Sequence, residues 1–133
     1  MEEALRVKLL ATAALTSLVV KRIDWGLRST AAGLPAVRLF EISGVPQTNL
    51  SGANRWMRAR VQIDCLGRTY LAARDVADVI AKPGSGVLNA MRETVGGVRL
   101  RTFIMNRRAD HDTDAEGVVH RISIDVMVWH APT

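Results

Sequence analysis

One short segment of the chain carries residues that could bind a metal ion. The segment Asp110–Gly117 reads DHDTDAEG, and its acids at the first, third and fifth positions resemble a calcium-binding loop, whose oxygen ligands suit a hard cation. The match fails at the sixth position, where Ala115 replaces the turn-forming glycine, and at the twelfth, where Arg121 replaces a bidentate glutamate. We therefore favour a solvated hairpin tip, with a weak divalent-ion site as the alternative, and expect no resident metal or cofactor.

Residues for covalent catalysis are sparse. Cys65 is the only cysteine and alternates with Val61 and Ile63, which indicates a small core residue rather than a nucleophile. The Gly84–Gly86 segment resembles a phosphate loop only superficially, because no strand precedes it and no lysine follows. The sequence contains no nucleophile elbow, zinc-protease helix or dinucleotide fingerprint. We expect that the protein is not an enzyme; metal-dependent hydrolysis centred on His111 is the remaining enzymatic alternative.

Length and composition indicate one soluble domain spanning residues 1–133, with 48% hydrophobic and 23% charged residues. The net charge is +5, but acids are interspersed among the bases, so solvated surface and protein contact are favoured over a nucleic-acid footprint. The apolar run Leu9–Val20 is about half a membrane span, and the acidic start Met1–Glu3 is unlike a secretory signal. We expect a cytoplasmic product with no membrane association.

Two main helices are predicted to position these residues. Apolar residues recur at three- and four-residue steps over 2–18, with Thr12 as a position where this helix could break into two. The same spacing predicts a second helix over 69–81, with Thr69 as its N-cap and the turn-forming Lys82–Gly86 segment as its end.

Four strands are predicted from period-two alternation and turn signals. They cover about 36–43 after Pro35, 58–66, 95–106, and a final stretch from Gly117 to about 129. The segments 26–33, 44–54 and 107–116 are predicted to be loops. The order is α-β-β-α-β-β, which predicts an α+β fold: a mainly antiparallel four-stranded sheet with both main helices packed on one face.

The sheet face opposite the helices is the most informative predicted surface. It would carry Arg58, Arg60, Gln62, Asp64, Arg99, Arg101, Phe103, Met105, Arg121, Asp125, Met127 and Trp129. Aromatic, methionine and arginine side chains are enriched at protein interfaces. Three interpretations stay open, namely a solvated face, an oligomer interface or lumen wall, and a nucleic-acid platform.

The candidate interface or channel-facing residues combine this face with the base of the last connection. They are Arg58, Arg60, Arg99, Arg101, Arg107, Arg108, Arg121 and Trp129.

An ordered set of short motifs resembles one protein family over nearly the whole chain. The motifs are LTSLV at 15–19, RIDW at 22–25, LPAV at 34–37, ISG at 42–44, VQID at 61–64, the Tyr70/Ala73/Ala77 helix, EG at 116–117 and RISIDVMVWH at 121–130. Together they resemble the tail-completion, or tail-terminator, proteins of long-tailed phages and gene transfer agents. Cys65, where an aromatic residue is common, and Val118–His120, before the arginine, depart from the pattern.

The resemblance implies a structural, non-enzymatic virion protein that acts through association. Such a protein forms a ring, commonly a hexamer, on the head-proximal end of the tail tube, where it stops tube polymerisation and meets the head connector or stopper protein. DNA would pass through its channel without specific binding. The implied location is the tail or neck of the virion, and the host cytoplasm during assembly.

Two other functions remain as alternatives. A neck or stopper component would share the fold class and differ in its neighbours. A small nucleic-acid-binding protein would use Arg58, Arg60, Arg99 and Arg101, with an affinity that falls steeply with salt.

Overall fold

The computed structural model describes residues 1–26, 33–49, 52–114 and 117–132. Within these ranges the helices and strands follow one another as α1 (Glu2–Leu10), α2 (Ala13–Val19), β1 (Ile23–Trp25), β2 (Ala36–Asn49), β3 (Gly52–Gly67), α3 (Tyr70–Ala81), β4 (Arg92–Val95), β5 (Val98–Asp114) and β6 (Gly117–Pro132).

The helices begin and end where local chemistry favours it. The Thr69 side chain accepts a hydrogen bond from the Ala72 amide at 3.1 Å, so it caps α3 as predicted. The N-terminal helical stretch does break at Thr12, whose extended backbone separates α1 from α2. Its hydroxyl donates to the Lys8 carbonyl at 3.0 Å instead of capping α2. The chain thus has three helices in its described ranges, where two main ones were predicted.

The predicted sheet is wrong in strand number and in type. The observed sheet has six strands in the order β1-β2-β3-β6-β5-β4. It is mixed, because β1 pairs with β2 in parallel while the other neighbours are antiparallel. The four predicted strands correspond to β2, β3, β5 and β6, and the two added strands are short edge strands of three and four residues.

Two predicted loops are largely strand. Residues 44–49 and 52–54 extend the β2–β3 hairpin, and residues 107–114 extend the β5–β6 hairpin. Backbone pairing across a hairpin needs no apolar side chains, so polar and turn-forming residue types do not prevent it. Most of the predicted loop 26–33 lies outside the described residues.

The core lies between the helices and one face of the sheet. Fully buried apolar residues from all three helices meet the alternating residues of β3 and β6, such as Ile63 and Ile124, which pair directly. The α3 helix packs on β3 and β6. None of the described helices is long and apolar enough to span a membrane.

His130, near the end of β6, gives the fold a pH dependence. Its Nε2 atom is buried with no hydrogen-bond partner in the part of the chain that the structure describes. Burial, with a smaller effect of the N-terminal amine, lowers the pKa of this imidazole. The unfolded chain then binds a proton more readily than the folded chain does. Stability is therefore retained above the unfolded-state pKa of about 6.5 and lost as the pH falls below it.

We expect urea unfolding to show a lower stability at about pH 5.5 than at about pH 7.5, and the variant His130→Leu to lose less stability over that interval. Equal losses in the two proteins would contradict this assignment.

Candidate interaction surface

The sheet face turned away from the helices carries charged and aromatic side chains of β3, β5 and β6. The strand register sets Arg58 opposite Trp129, Arg60 opposite Met127 and Gln62 opposite Asp125. On the other side of β6, Arg101 lies opposite Trp129 and Phe103 opposite Met127. These residues share one face because side chains two apart on a strand point the same way. We call it the outer face.

A buried carboxylate lies at the centre of the outer face. Asp64 is 1% exposed. It accepts hydrogen bonds from the Ser123 hydroxyl at 2.7 Å, the Gln62 amide at 2.9 Å and the Arg38 guanidinium at 3.1 Å. A buried charge is tolerated only when it is paired and hydrogen-bonded, and Asp64 meets both conditions.

A second buried carboxylate, Asp125, lies beside the first. Its Oδ2 atom accepts hydrogen bonds from Arg60 at 2.9 Å and from Arg108 at 3.2 Å. The Arg108 guanidinium also donates to Gln62 Oε1 at 3.2 Å, so Gln62 joins the two aspartates into one network. Asp64 and Asp125 with these partners form what we call the carboxylate centre. It holds Arg38, Arg60 and Arg108 in fixed internal contacts.

The arginines at one end of the outer face have aromatic partners instead. The Arg99 and Arg101 guanidinium groups lie 4.7 and 5.0 Å from the centroid of the Trp56 ring. Arg58 lies 5.7 Å from the Trp129 ring. Within the described ranges, no carboxylate forms an ion pair with any of these three arginines. We call these five residues the arginine–indole patch.

A guanidinium stacked on an indole is held by its face, which leaves N–H groups at its edge for carboxylate or phosphate oxygens. Arg99 also donates one long hydrogen bond, of 3.5 Å, from Nη2 to the Pro132 carbonyl. The patch borders an open depression of about 220 Å³ that is also lined by Arg92, Glu93 and Thr94. The depression is too open to enclose a small molecule, and it fits a protruding segment of another macromolecule better.

Arg107 lies apart from the other predicted interface residues. A β-bulge between Ile104 and Asn106 shifts the alternation of β5, so that residues with even numbers take the outer face beyond it. Arg107 accordingly pairs with Asp78 of α3 at 2.8 Å, on the helix side of the sheet. Arg108 joins the carboxylate centre. The structure therefore separates these two neighbouring candidates.

The far end of the β5–β6 hairpin is acidic. The Arg121 guanidinium donates to Asp110 at 2.7 Å, and this contact, with the His111 amide, lowers the pKa of the Asp110 carboxyl. Asp112 is exposed, and its carboxylate accepts a hydrogen bond from the Thr113 amide at 2.8 Å.

The divalent-ion interpretation gains no support from the described residues. Residues 110–114 form a paired strand rather than a curved loop. Among the described residues no group of three His, Cys, Asp or Glu side chains could hold a metal ion. Ala115 and Glu116, which belong to the predicted loop, lie outside those residues.

Cys65 is fully buried, and burial strongly raises the pKa of its thiol. This burial agrees with the core position predicted from the strand alternation, and a raised thiol pKa disfavours the thiolate form.

Two contributors to the outer face were not among the predicted site residues. Arg38 lies on β2 between the buried residues Val37 and Leu39, so its side chain points to the opposite face of the sheet. The alternation in the sequence could therefore have placed Arg38 on the outer face. Trp56 lies between the predicted loop 44–54 and the predicted strand 58–66, so no alternation extends to it. The ion pairs themselves have no sequence signal, because they depend on strand register.

Comparisons with known proteins give matches to a protein family and to solved structures. The family model described as "Tail completion protein gp17" matches residues 3–131. Among solved structures, a chain in a structure titled "Virion of native gene transfer agent (GTA) particle" is similar with a TM-score of 0.75 at 16% identity, over 98% of this chain and 94% of that one. At that identity the likeness shows a shared fold. A search of curated proteins finds no match.

Proposed function

The chain belongs to the tail completion protein gp17 family of phage tail structural proteins, and from this membership we propose that it closes the head-proximal end of a tail tube. The observation that carries the proposal is the family match over residues 3–131, nearly the full sequence. The fold similarity to a chain of a gene transfer agent virion supports a location in a tailed particle, since the alignment includes nearly all of both chains. The proposed location is the tail or neck of the virion, and the host cytoplasm during assembly.

In this proposal the chain acts as one unit that associates with copies of itself in a ring, commonly a hexamer among the proteins it resembles. A ring needs heterologous contacts, in which two different patches of each copy meet those of its neighbours. The chain offers such a pair of patches, because one end of its outer face is rich in arginine and one hairpin end is acidic. The two axial sides of the ring would bind the tube protein and the head connector or stopper protein.

The carboxylate centre suits a surface near passing DNA. A channel that conducts DNA must not hold phosphate tightly, because each arginine–phosphate contact adds to the salt-dependent affinity. Asp64 and Asp125 already engage Arg38, Arg60 and Arg108. A wall built this way presents mixed charge, which favours passage without specific binding.

Purified protein mixed with purified tube protein tests the proposal. We expect negative-stain electron microscopy to show rings capping one end of the tubes. Tubes polymerised with the protein present should be shorter than tubes formed without it, since a capped end cannot grow. Only monomers and uncapped tubes would contradict the proposal.

Separate pull-downs with the tube protein and with the connector protein then identify the neighbours. Binding to both supports a terminator. Binding to the connector alone would indicate a neck or stopper component instead.

A further inference from the structure

The arginine–indole patch and the acidic end of the β5–β6 hairpin carry opposite charges and lie at opposite ends of the same hairpin. Arg99 pairs with Ala131 near the base of the hairpin, and Asp112 pairs with Val119 near its turn. Arg99 and Asp112 are thirteen residues apart on β5, a distance of roughly 40 Å at about 3.3 Å per residue of an extended chain. One copy therefore cannot bring its own two ends together.

We propose that the acidic hairpin end of one copy binds the arginine–indole patch of the next copy. This inference rests on the proposed function, because it names the contact that would close the ring. The partner of the patch is then a second copy of this chain, and the recognising chemistry is carboxylate against guanidinium.

The patch is suited to carboxylates. Arg99 and Arg101 lie against Trp56, which restrains them before a partner arrives and reduces the side-chain entropy lost on binding. Arg58 is held in the same way by Trp129. Each planar guanidinium presents paired N–H groups that match the two oxygens of a carboxylate. These arginines contrast with Arg60 and Arg108, whose donors already bind Asp125.

The hairpin end is suited to the patch. Asp112 is exposed, and its only described contact is with the amide of the next residue, so its carboxylate has capacity for further hydrogen bonds. Asp114 follows two residues later on the same strand. Asp110 is engaged by Arg121, which leaves Asp112 as the described acid that an incoming guanidinium would meet.

A second copy is favoured over DNA because the chain itself carries the complementary charge: the exposed Asp112 near the hairpin turn has a carboxylate with capacity for further hydrogen bonds. A contact between two different ends of identical chains is also heterologous: each copy is related to the next by the same rotation, and contacts of this type build closed rings when that rotation closes.

Charge reversal tests the contact. The variants are Arg99→Glu with Arg101→Glu, Asp112→Arg with Asp114→Arg, and a combined variant carrying all four changes. Arg74→Glu, at an exposed position on α3, is the matched control. Self-association is measured by sedimentation with tube protein present, and circular dichroism establishes that each variant is folded.

We expect each two-residue reversal to weaken association about tenfold or more, because like charges then face each other at every contact. The combined variant should recover to within about threefold of the unsubstituted protein, since every contact again joins opposite charges. Arg74→Glu should change nothing.

Four outcomes would overturn the inference. Association unchanged in both reversals would show that the contact lies elsewhere, and would leave the proposed ring intact if the unsubstituted protein assembles. Failure of the combined variant to recover would exclude the pairing of these two ends. Loss of duplex DNA retention in Arg99→Glu/Arg101→Glu, with association unchanged, would assign the patch to nucleic acid. If the unsubstituted protein does not associate at all, the inference fails together with the proposed function.

Discussion

Replacement of Asp64 with alanine is expected to lower the free energy of unfolding by about 3 kcal/mol. The change removes the acceptor of three hydrogen bonds, from Ser123, Gln62 and Arg38. It leaves the buried Ser123 hydroxyl and a largely buried guanidinium without their partner, and an uncompensated buried charge costs more than the pair contributes. The figure lies at the lower end of the range for broken buried pairs because Arg38 keeps 23% of its side chain exposed.

Asp75→Ala is the matched control for this substitution. Asp75 lies on α3, is half exposed and has an arginine only at 4.0 Å, so its loss should change stability by less than about 0.5 kcal/mol. Asp64→Asn should fall between the two, because the amide oxygen can still accept from Ser123 while the charge is lost. Urea denaturation of the three variants measures the order. A loss below about 1 kcal/mol for Asp64→Ala would show that the carboxylate centre does not stabilise the fold.

The outer face thus has one part whose arginines are paired with carboxylates inside the subunit and another part whose arginines stack on indole rings. Asp64 and Asp125 use the guanidinium donors of Arg38, Arg60 and Arg108 inside the subunit. The stacked arginines of the arginine–indole patch have no such partner among the described residues. Substitutions in the first part should act mainly on stability, and those in the second mainly on association.

The central strands could be predicted from the sequence because they alternate strictly. In Arg58–Cys65 apolar residues alternate strictly with polar or charged ones, and that pattern indicates a strand packed on one side. The α3 helix was predictable for a similar reason, with Thr69 marking its start. The edge strands β1 and β4 are too short to show a period, although the Gly96-Gly97 pair is a hairpin turn signal for β4.

The hairpin extensions could not be predicted because their sequences are mostly polar or turn-forming and show no period-two alternation of apolar residues. Strand pairing there continues from the buried part through backbone hydrogen bonds, and single-sequence patterning does not report it. The same limit explains Arg107. The bulge adds one residue to β5, so side chains after it point to the opposite face of the sheet from the one that the alternation predicts. Nothing in the sequence of residues 105–108 indicates this bulge. Which arginines share a face was predictable up to the bulge, whereas which of them have carboxylate partners was not.

Replacement of Ile124 with alanine is expected to cost about 3–4 kcal/mol of unfolding free energy. Ile124 is completely buried on β6, directly opposite the equally buried Ile63 of β3. Truncation removes three carbon atoms from contact with the core and leaves a cavity that the paired strands cannot close by moving, because β3 and β5 hold β6 on both sides.

Two related changes separate the loss of packing from the loss of a strand-forming residue. Ile124→Val should cost about 0.5–1.5 kcal/mol, since it removes one carbon and retains the branched shape. Ile42→Ala makes the same deletion at a β2 position that is 49% exposed, and it should cost less than about 1 kcal/mol. If Ile42→Ala matched Ile124→Ala in urea denaturation, strand propensity rather than core packing would account for both losses. The expected order instead follows burial, because Ile124 is completely buried whereas Ile42, at the bulge of β2, is half exposed.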